Sequence, residues 1–227
     1  MTTPPILRLA NAIRTALEDG HQGMFVYGSG RVGKTHAQRW LMERTSWHTE
    51  SLVRIAVRVP RHTKIRDSYV YQLILMCLRQ KLAAKQTDLE ALGRIRDLFE
   101  QLCYAQGVRT LLVLVDEAQR LYRDEVADFL SVVNESEAWD ITVFVVFVHQ
   151  IDVTGTEAER AREQVPAHIK GRFGMANHRF FGLRGEDEVA SVLRRYDQNA
   201  KWPTGTDITY CAHFAPQAFA SGWRLEH

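Results

Sequence analysis

The chain has 227 residues, 45% of them hydrophobic and 25% charged, with a formal net charge of +2. That is one large domain, or one with a small appendage, and the composition excludes a disordered chain. A charge so close to balance also excludes a strong stand-alone nucleic-acid binder, although a ring or filament sums weak contacts over many copies. The longest apolar run inside a strand, Val143 to Val148, is too short to span a membrane. The Met-Thr-Thr-Pro-Pro start lacks the regions of a signal peptide. Cys77, Cys103 and Cys211 form no CxxC pair and read as reduced thiols of a cytoplasmic protein, and the histidines show no zinc-ligand spacing.

In chain order, apolar residues at 6, 9, 10, 13, 16 and 17 predict an amphipathic helix over 6–17, ended by Gly20 and Gly23. Met24–Tyr27 is a short apolar strand, followed by a loop and a helix over 36–43. Residues 51–59 alternate as a strand that Pro60 stops. Helices are expected over 68–82 and 89–105, the second capped by Asp88. Five apolar residues, Leu111–Val115, predict a strand buried on both faces, as in a parallel sheet. A helix over 125–137, a β-branched strand over 141–148, a polar loop over 152–165, a strand over 177–183 and a helix over 185–199 follow, with more helix in 205–222. Strands alternating with helices imply an α/β fold, a mostly parallel sheet with right-handed crossovers.

Two motifs carry chemistry. Gly28-Ser29-Gly30-Arg31-Val32-Gly33-Lys34-Thr35 is a complete phosphate-binding loop between a strand and a helix, with His36 next in line. Its glycines let backbone N–H groups curl around phosphate, at the positive end of the following helix. Lys34 would reach the β- and γ-phosphates of ATP, and Thr35 would offer a hydroxyl to Mg²⁺. Downstream, Asp116-Glu117 ends the strand at 111–115, where α/β sheets place their ligands. Asp116 is expected to help hold the Mg²⁺ and Glu117 to polarise the attacking water. Together these predict a P-loop ATPase.

A helix and a strand lie between the two motifs, which separates this chain from simple P-loop kinases and aligns it with AAA+ and RecA-like ATPases. The chain resembles AAA+ proteins in three further places. His149-Gln150 ends a strand where such proteins put a "sensor 1" side chain, and Gln150 suits it better because an amide does not titrate. Gly171-Arg172-Phe173 is similar to their arginine finger, with Arg179 and Arg184 as competitors. Gly222-Trp223-Arg224 is similar to the neighbourhood of "sensor 2", which would bring Arg224 to the nucleotide. Within that class the chain resembles bacterial transposition regulators of the TnsC/TniB type, and MuB more distantly, in the Val115–Leu121 run, the Arg-Val-Gly-Lys-Thr loop and the 183–189 run.

The resemblance implies an AAA+ nucleotide-binding domain over 1–183 with a partial helical lid over 184–227. It also implies assembly as a ring or helical filament on double-stranded DNA, and recruitment of a transposase and a target-selection protein. Basic residues after the strand at 51–59 (Arg61, His62, Lys64, Arg66) and the loop residues Lys85 and Thr87 are candidate DNA contacts, through phosphate oxygens rather than bases. The alternatives are an ExeA-type secretion-associated ATPase, a helicase loader, and a non-enzymatic ATP-gated scaffold.

Overall fold

The computed structural model describes residues 1–64, 68–83, 85–151 and 167–226. Five strands, β1 (Gly23–Gly28), β2 (Val53–Arg58), β3 (Thr110–Asp116), β4 (Thr142–Gln150) and β5 (Ala176–Arg179), form one parallel sheet in the order β2-β3-β4-β1-β5. Helix α1 (Pro4–Glu18) precedes β1. The crossovers carry α2 (Lys34–Glu43), then α3 (Tyr69–Cys77) with α4 (Asp88–Gln106), then α5 (Arg123–Ala138) and α6 (Ala167–Phe173). Strand β4 thus separates β1 from β3 in the sheet, whereas β2, which lies between the two motifs in sequence, is an edge strand.

The central strands are apolar throughout because both their faces are covered. On one face Phe25, Tyr27, Ile55, Val113, Val145 and Phe147 join Leu73, Ile95, Phe99, Phe129 and Phe173 in one core cluster. On the other face Met24, Val26, Leu112, Leu114, Val146 and Val148 are equally buried. Edge strand β2 keeps the alternation read from sequence, with Val53, Ile55 and Val57 buried and Ala56 and Arg58 exposed.

Several boundaries move for local reasons. Helix α3 stops at Cys77 instead of 82, because Arg79 turns left-handed (φ 58) and Gln80 N–H donates to Leu75 O. Thr87, not Asp88, caps α4: its hydroxyl accepts from Glu90 N–H, while the Glu90 carboxylate accepts from Thr87 N–H. The strand expected over 177–183 is only Ala176–Arg179. The loop expected over 152–165 lies outside the described residues.

Strand-exit residue His62 is turned inward, not toward solvent. Its Nε2 lies 2.9 Å from Glu125 Oε1 and its Nδ1 3.2 Å from Pro60 O, with the ring packed against Tyr69 and Tyr122. Glu125, 1% exposed, also accepts from Tyr122 N–H at the start of α5. This pair fastens the chain leaving β2 to α5.

The chain divides into two compact units, Arg8–Phe180 and Met1–Leu7 with Phe181–His227. The second contains α7 (Gly185–Gln198) and two short helices, α8 (Tyr210–Phe214) and α9 (Pro216–Ala220), where sequence suggested further helix. Tyr210 packs edge-on or tilted against Tyr196, Trp202 and Phe214. Leu225 N–H donates to Asp197, and the Glu226 carboxylate pairs with Arg194.

Gly23 does not end α1, as the sequence suggested. It is the first residue of β1, pressed against its neighbours: a Cβ there would lie 2.5 Å from Val145 O and 2.8 Å from the Phe173 ring. The carbonyl belongs to the β1–β4 ladder and cannot yield cheaply. Gly23→Ala is therefore expected to cost about 1–3 kcal/mol, read as a fall in the denaturant midpoint; an unchanged midpoint would contradict this packing.

Candidate nucleotide site

The phosphate loop and the carboxylates meet at the C-terminal edge of the sheet. Strand β1 ends at Gly28, and α2 begins at Lys34 with left-handed Gly33 (φ 101) as its cap. Gly33 is required by its backbone conformation, since a Cβ there would meet nothing within 4 Å. Gly28 is required by space: a Cβ would lie 2.6 Å from Phe180 O. Arg31 is also left-handed (φ 62), so the loop turns at both Arg31 and Gly33.

Lys34 is 8% exposed, and its ammonium donates to Gly28 O at 2.7 Å and Ser29 O at 2.5 Å. Thr35 Oγ1 lies 3.2 Å from Asp116 Oδ2. Asp116 Oδ1 accepts from Gln38 Nε2 at 3.1 Å and from Glu117 N–H at 3.0 Å. Arg31, Gly33, Lys34, Thr35, His36, Asp116, Glu117 and Gln150 line one cavity of about 230 Å³. The structure thus brings eight of the expected residues together from α2, its loop, β3 and β4. Gln38 was missed; its place one helical turn after Thr35 was the available signal.

Glu117 adopts φ 61, a left-handed conformation unusual for a side-chain-bearing residue, at the start of a 3₁₀ turn over Ala118–Arg120. Its Oε2 accepts from Gln119 Nε2 at 2.7 Å and pairs with Arg120 at 3.2 Å. Arg120 also donates to Val59 O at 2.9 Å. Neither Gln119 nor Arg120 was singled out from sequence, although both stand in the Val115–Leu121 run.

Of the two β4 residues, Gln150 reaches the cavity. His149 turns to the other face, its ring 5.5 Å from those of both Phe25 and Tyr27. Its Nε2 is buried without a hydrogen-bond partner among the described residues. Burial lowers its pKa from 6.5 to about 4.

Arg172 is not brought to this cavity. Its guanidinium donates to Gln22 Oε1 at 2.9 Å and faces Glu137 at 3.6 Å, and Gln22 also donates to Glu137. Gln22 immediately precedes β1, so this cluster lies at the opposite end of the strand from Gly28. Six residues at ~3.3 Å each separate the two ends by ~20 Å. Arg224, in the second unit, donates to Phe219 O and Trp223 O and sits 4.0 Å over the Phe219 ring. Arg184, in the same unit, lies 3.6 Å over the Phe181 ring.

Among the DNA candidates Lys64 and Lys85 are exposed, whereas the Thr87 hydroxyl is committed to capping α4. Arg66 lies outside the described residues. The Ser68 hydroxyl donates to Asp88, which places the chain following β2 beside the start of α4.

The oxygen donors suit a hard divalent cation, and the curled loop with its buried lysine suits a polyphosphate. A family model described as "AAA domain" matches residues 17–154, more than half of the chain. The chain belongs to the AAA domain family. Its fold is shared with Cdc6p from Pyrobaculum aerophilum, at a TM-score of 0.52 and 15% identity, covering 85% of this chain and 49% of that one. A chain in the structure of Drosophila ORC bound to GC-rich DNA and Cdc6 is similar at a TM-score of 0.50 and 10% identity, covering 84% of this chain and 30% of that one. This AAA protein thus spans half or less of those chains. No curated protein matches it. No helix among its described residues is long and apolar enough to cross a membrane.

The buried imidazole makes stability depend on pH. The unfolded chain takes up the proton near pH 6.5, while the folded chain resists it until about pH 4. The stabilisation is complete above pH 6.5 and is lost as the pH falls toward 4. At ~1.4 kcal/mol per pH unit, up to about 3 kcal/mol is lost over that window. His149→Phe, whose ring suits Phe25 and Tyr27, should flatten this part of the stability curve; parallel curves for the two proteins would refute the assignment.

Proposed function

We propose that this AAA protein is an ATPase that binds MgATP at the loop, assembles on double-stranded DNA, and regulates transposition by recruiting a transposase and a target-selection protein. Thr35 and Asp116 would hold the Mg²⁺, which neutralises phosphate charge when bound. Lys34 and the loop N–H groups would bind the β- and γ-phosphates, with Gly28 and Gly30 allowing their approach. Glu117 would orient and polarise the attacking water, and Gln150 would face the reacting phosphate from β4.

The observation that carries assembly is the position of Arg172. An arginine at the far end of β1 from its own phosphate loop can act as a finger only on nucleotide bound by another copy. The transposition reading rests on the resemblance to the TnsC/TniB type. The side-by-side placement of the chain after β2 and the start of α4 supports a DNA surface carrying Lys64 and Lys85, with Arg66 a further contact. The test is electron microscopy with an ATP analogue and duplex DNA, where rings or filaments are expected and a DNA-indifferent monomer would overturn the reading.

Point variants separate the steps. Lys34→Ala is expected to abolish nucleotide-dependent assembly. Glu117→Gln should bind ATP, lose turnover by about 10²-fold or more and persist in the assembled form. Arg172→Ala should bind ATP yet hydrolyse it poorly. Mixing Arg172→Ala with Glu117→Gln should restore activity, because one interface then pairs an intact Arg172 with an intact Glu117. Absence of recovery at every ratio, with co-assembly verified, would count against a finger acting between subunits.

DNA affinity is expected to be indifferent to sequence and to fall steeply with salt, since phosphate contacts release counterions. Replacing Lys64, Arg66 and Lys85 together by Ala should weaken binding to all duplexes alike and flatten the salt slope. A strong preference for one sequence would instead reveal base readout.

A further inference from the structure

The Gln119 side chain joins two parts of the site that the backbone leaves separate. Its Nε2 donates to Glu117 Oε2 at 2.7 Å, and its Oε1 accepts from Gln150 N–H at 2.9 Å. The amide orientation is fixed by chemistry. A carboxylate accepts only, so it requires the NH₂; a backbone N–H donates only, so it requires the carbonyl oxygen. Glu117 stands on a left-handed backbone just after β3, and Gln150 is the last residue of β4. Both line the cavity beside Thr35 and Asp116. Gln119 is exposed and contributes nothing to the core, so its two bonds are not a by-product of packing.

We propose that Gln119 is a positioning residue for Glu117, fixing the carboxylate against the tip of β4 so that Oε1 faces the cavity. This rests on the hydrolytic role given to Glu117 above. A base needs a third group to orient it, and here the amide fills that place with its other end anchored to a rigid, buried strand. Arg120 provides a second hold on the same oxygen, from Val59 at the end of β2. With Oε2 occupied by two donors, Oε1 is the oxygen left to meet water. Gln119 itself touches no reacting atom. Misplacing a catalytic group by about 1 Å costs on the order of 10²-fold in rate.

Three chains with different hydrogen-bonding capacity test this. Gln119→Leu keeps approximate size and loses both bonds; its kcat should fall about 10- to 100-fold with KM for ATP unchanged. Gln119→Glu keeps the acceptor for Gln150 N–H but faces Glu117 with a second carboxylate. Protonation turns that carboxylate back into a donor, and a neighbouring like charge raises the pH at which this happens. The ratio of Gln119→Glu to wild-type kcat should therefore rise as the pH is lowered from 8 to 6, while the ratio for Gln119→Leu stays flat. A residue that merely supported the 3₁₀ turn would give the two variants the same profile.

The wild-type chain is assayed first. Nucleotide binding without turnover in the wild type would refute the hydrolytic reading and the positioning role with it. Turnover in the wild type together with wild-type kcat in Gln119→Leu would refute the positioning role alone. Parallel pH profiles for the Glu and Leu variants would do the same.

Discussion

The Asp116 carboxylate is the point on which the site depends. It closes the distance between two segments that the sheet holds apart, because β4 lies between β1 and β3. Oδ2 takes the Thr35 hydroxyl, while Oδ1 takes the Gln38 amide and the N–H of Glu117. One side chain therefore sets α2 against the end of β3 and restrains the turn that presents Glu117. Hydrogen bonds to a charged acceptor are worth roughly 1.5–3 kcal/mol each, and a half-buried carboxylate deprived of them would carry an unmet desolvation cost.

The fold supplies that carboxylate with a stiff support. Leu111 to Val115 are each buried, and β3 is hydrogen-bonded on both sides, to β2 and β4. A residue at the end of such a strand inherits its position from a core packed on both faces. The His62–Glu125 pair does comparable work beside it, fixing the path of the chain after β2. Removing one partner of this buried hydrogen bond would leave the other unsatisfied, at about 1–3 kcal/mol.

The parallel sheet and the phosphate loop were legible in the sequence because each obeys a local rule: uninterrupted apolar runs for strands covered on both faces, and a spacing of glycines that few other folds require. The two motifs point Asp116 and Thr35 at one cation, but the hydrogen bond between their side chains was not legible. Gln119 and Arg120 were not legible, since their partners, Gln150 N–H and Val59 O, come from other strands and depend on sheet order. His62 misled for the same reason. A histidine among basic residues reads as surface until Glu125, 63 positions away, is brought to it. Gly23 reads as a helix end because a glycine looks the same whether it turns the chain or lets two strands approach. The early stop of α3 turned on Arg79 adopting a conformation that arginine rarely selects.

Strand β1 has a mechanical meaning beyond its place in the core. Gln22, one residue before it, holds Arg172; Gly28, its last residue, accepts from Lys34. All six residues of β1 are buried, and the strand is laddered to β4 on one side and β5 on the other. No hinge or flexible loop interrupts the path between the two ends. If Arg172 engages a neighbour's nucleotide, a row of subunits becomes a series of stiff struts, each running from one phosphate loop to the next. Tension applied at any contact would then pass from one phosphate loop to the next through a buried strand laddered on both sides.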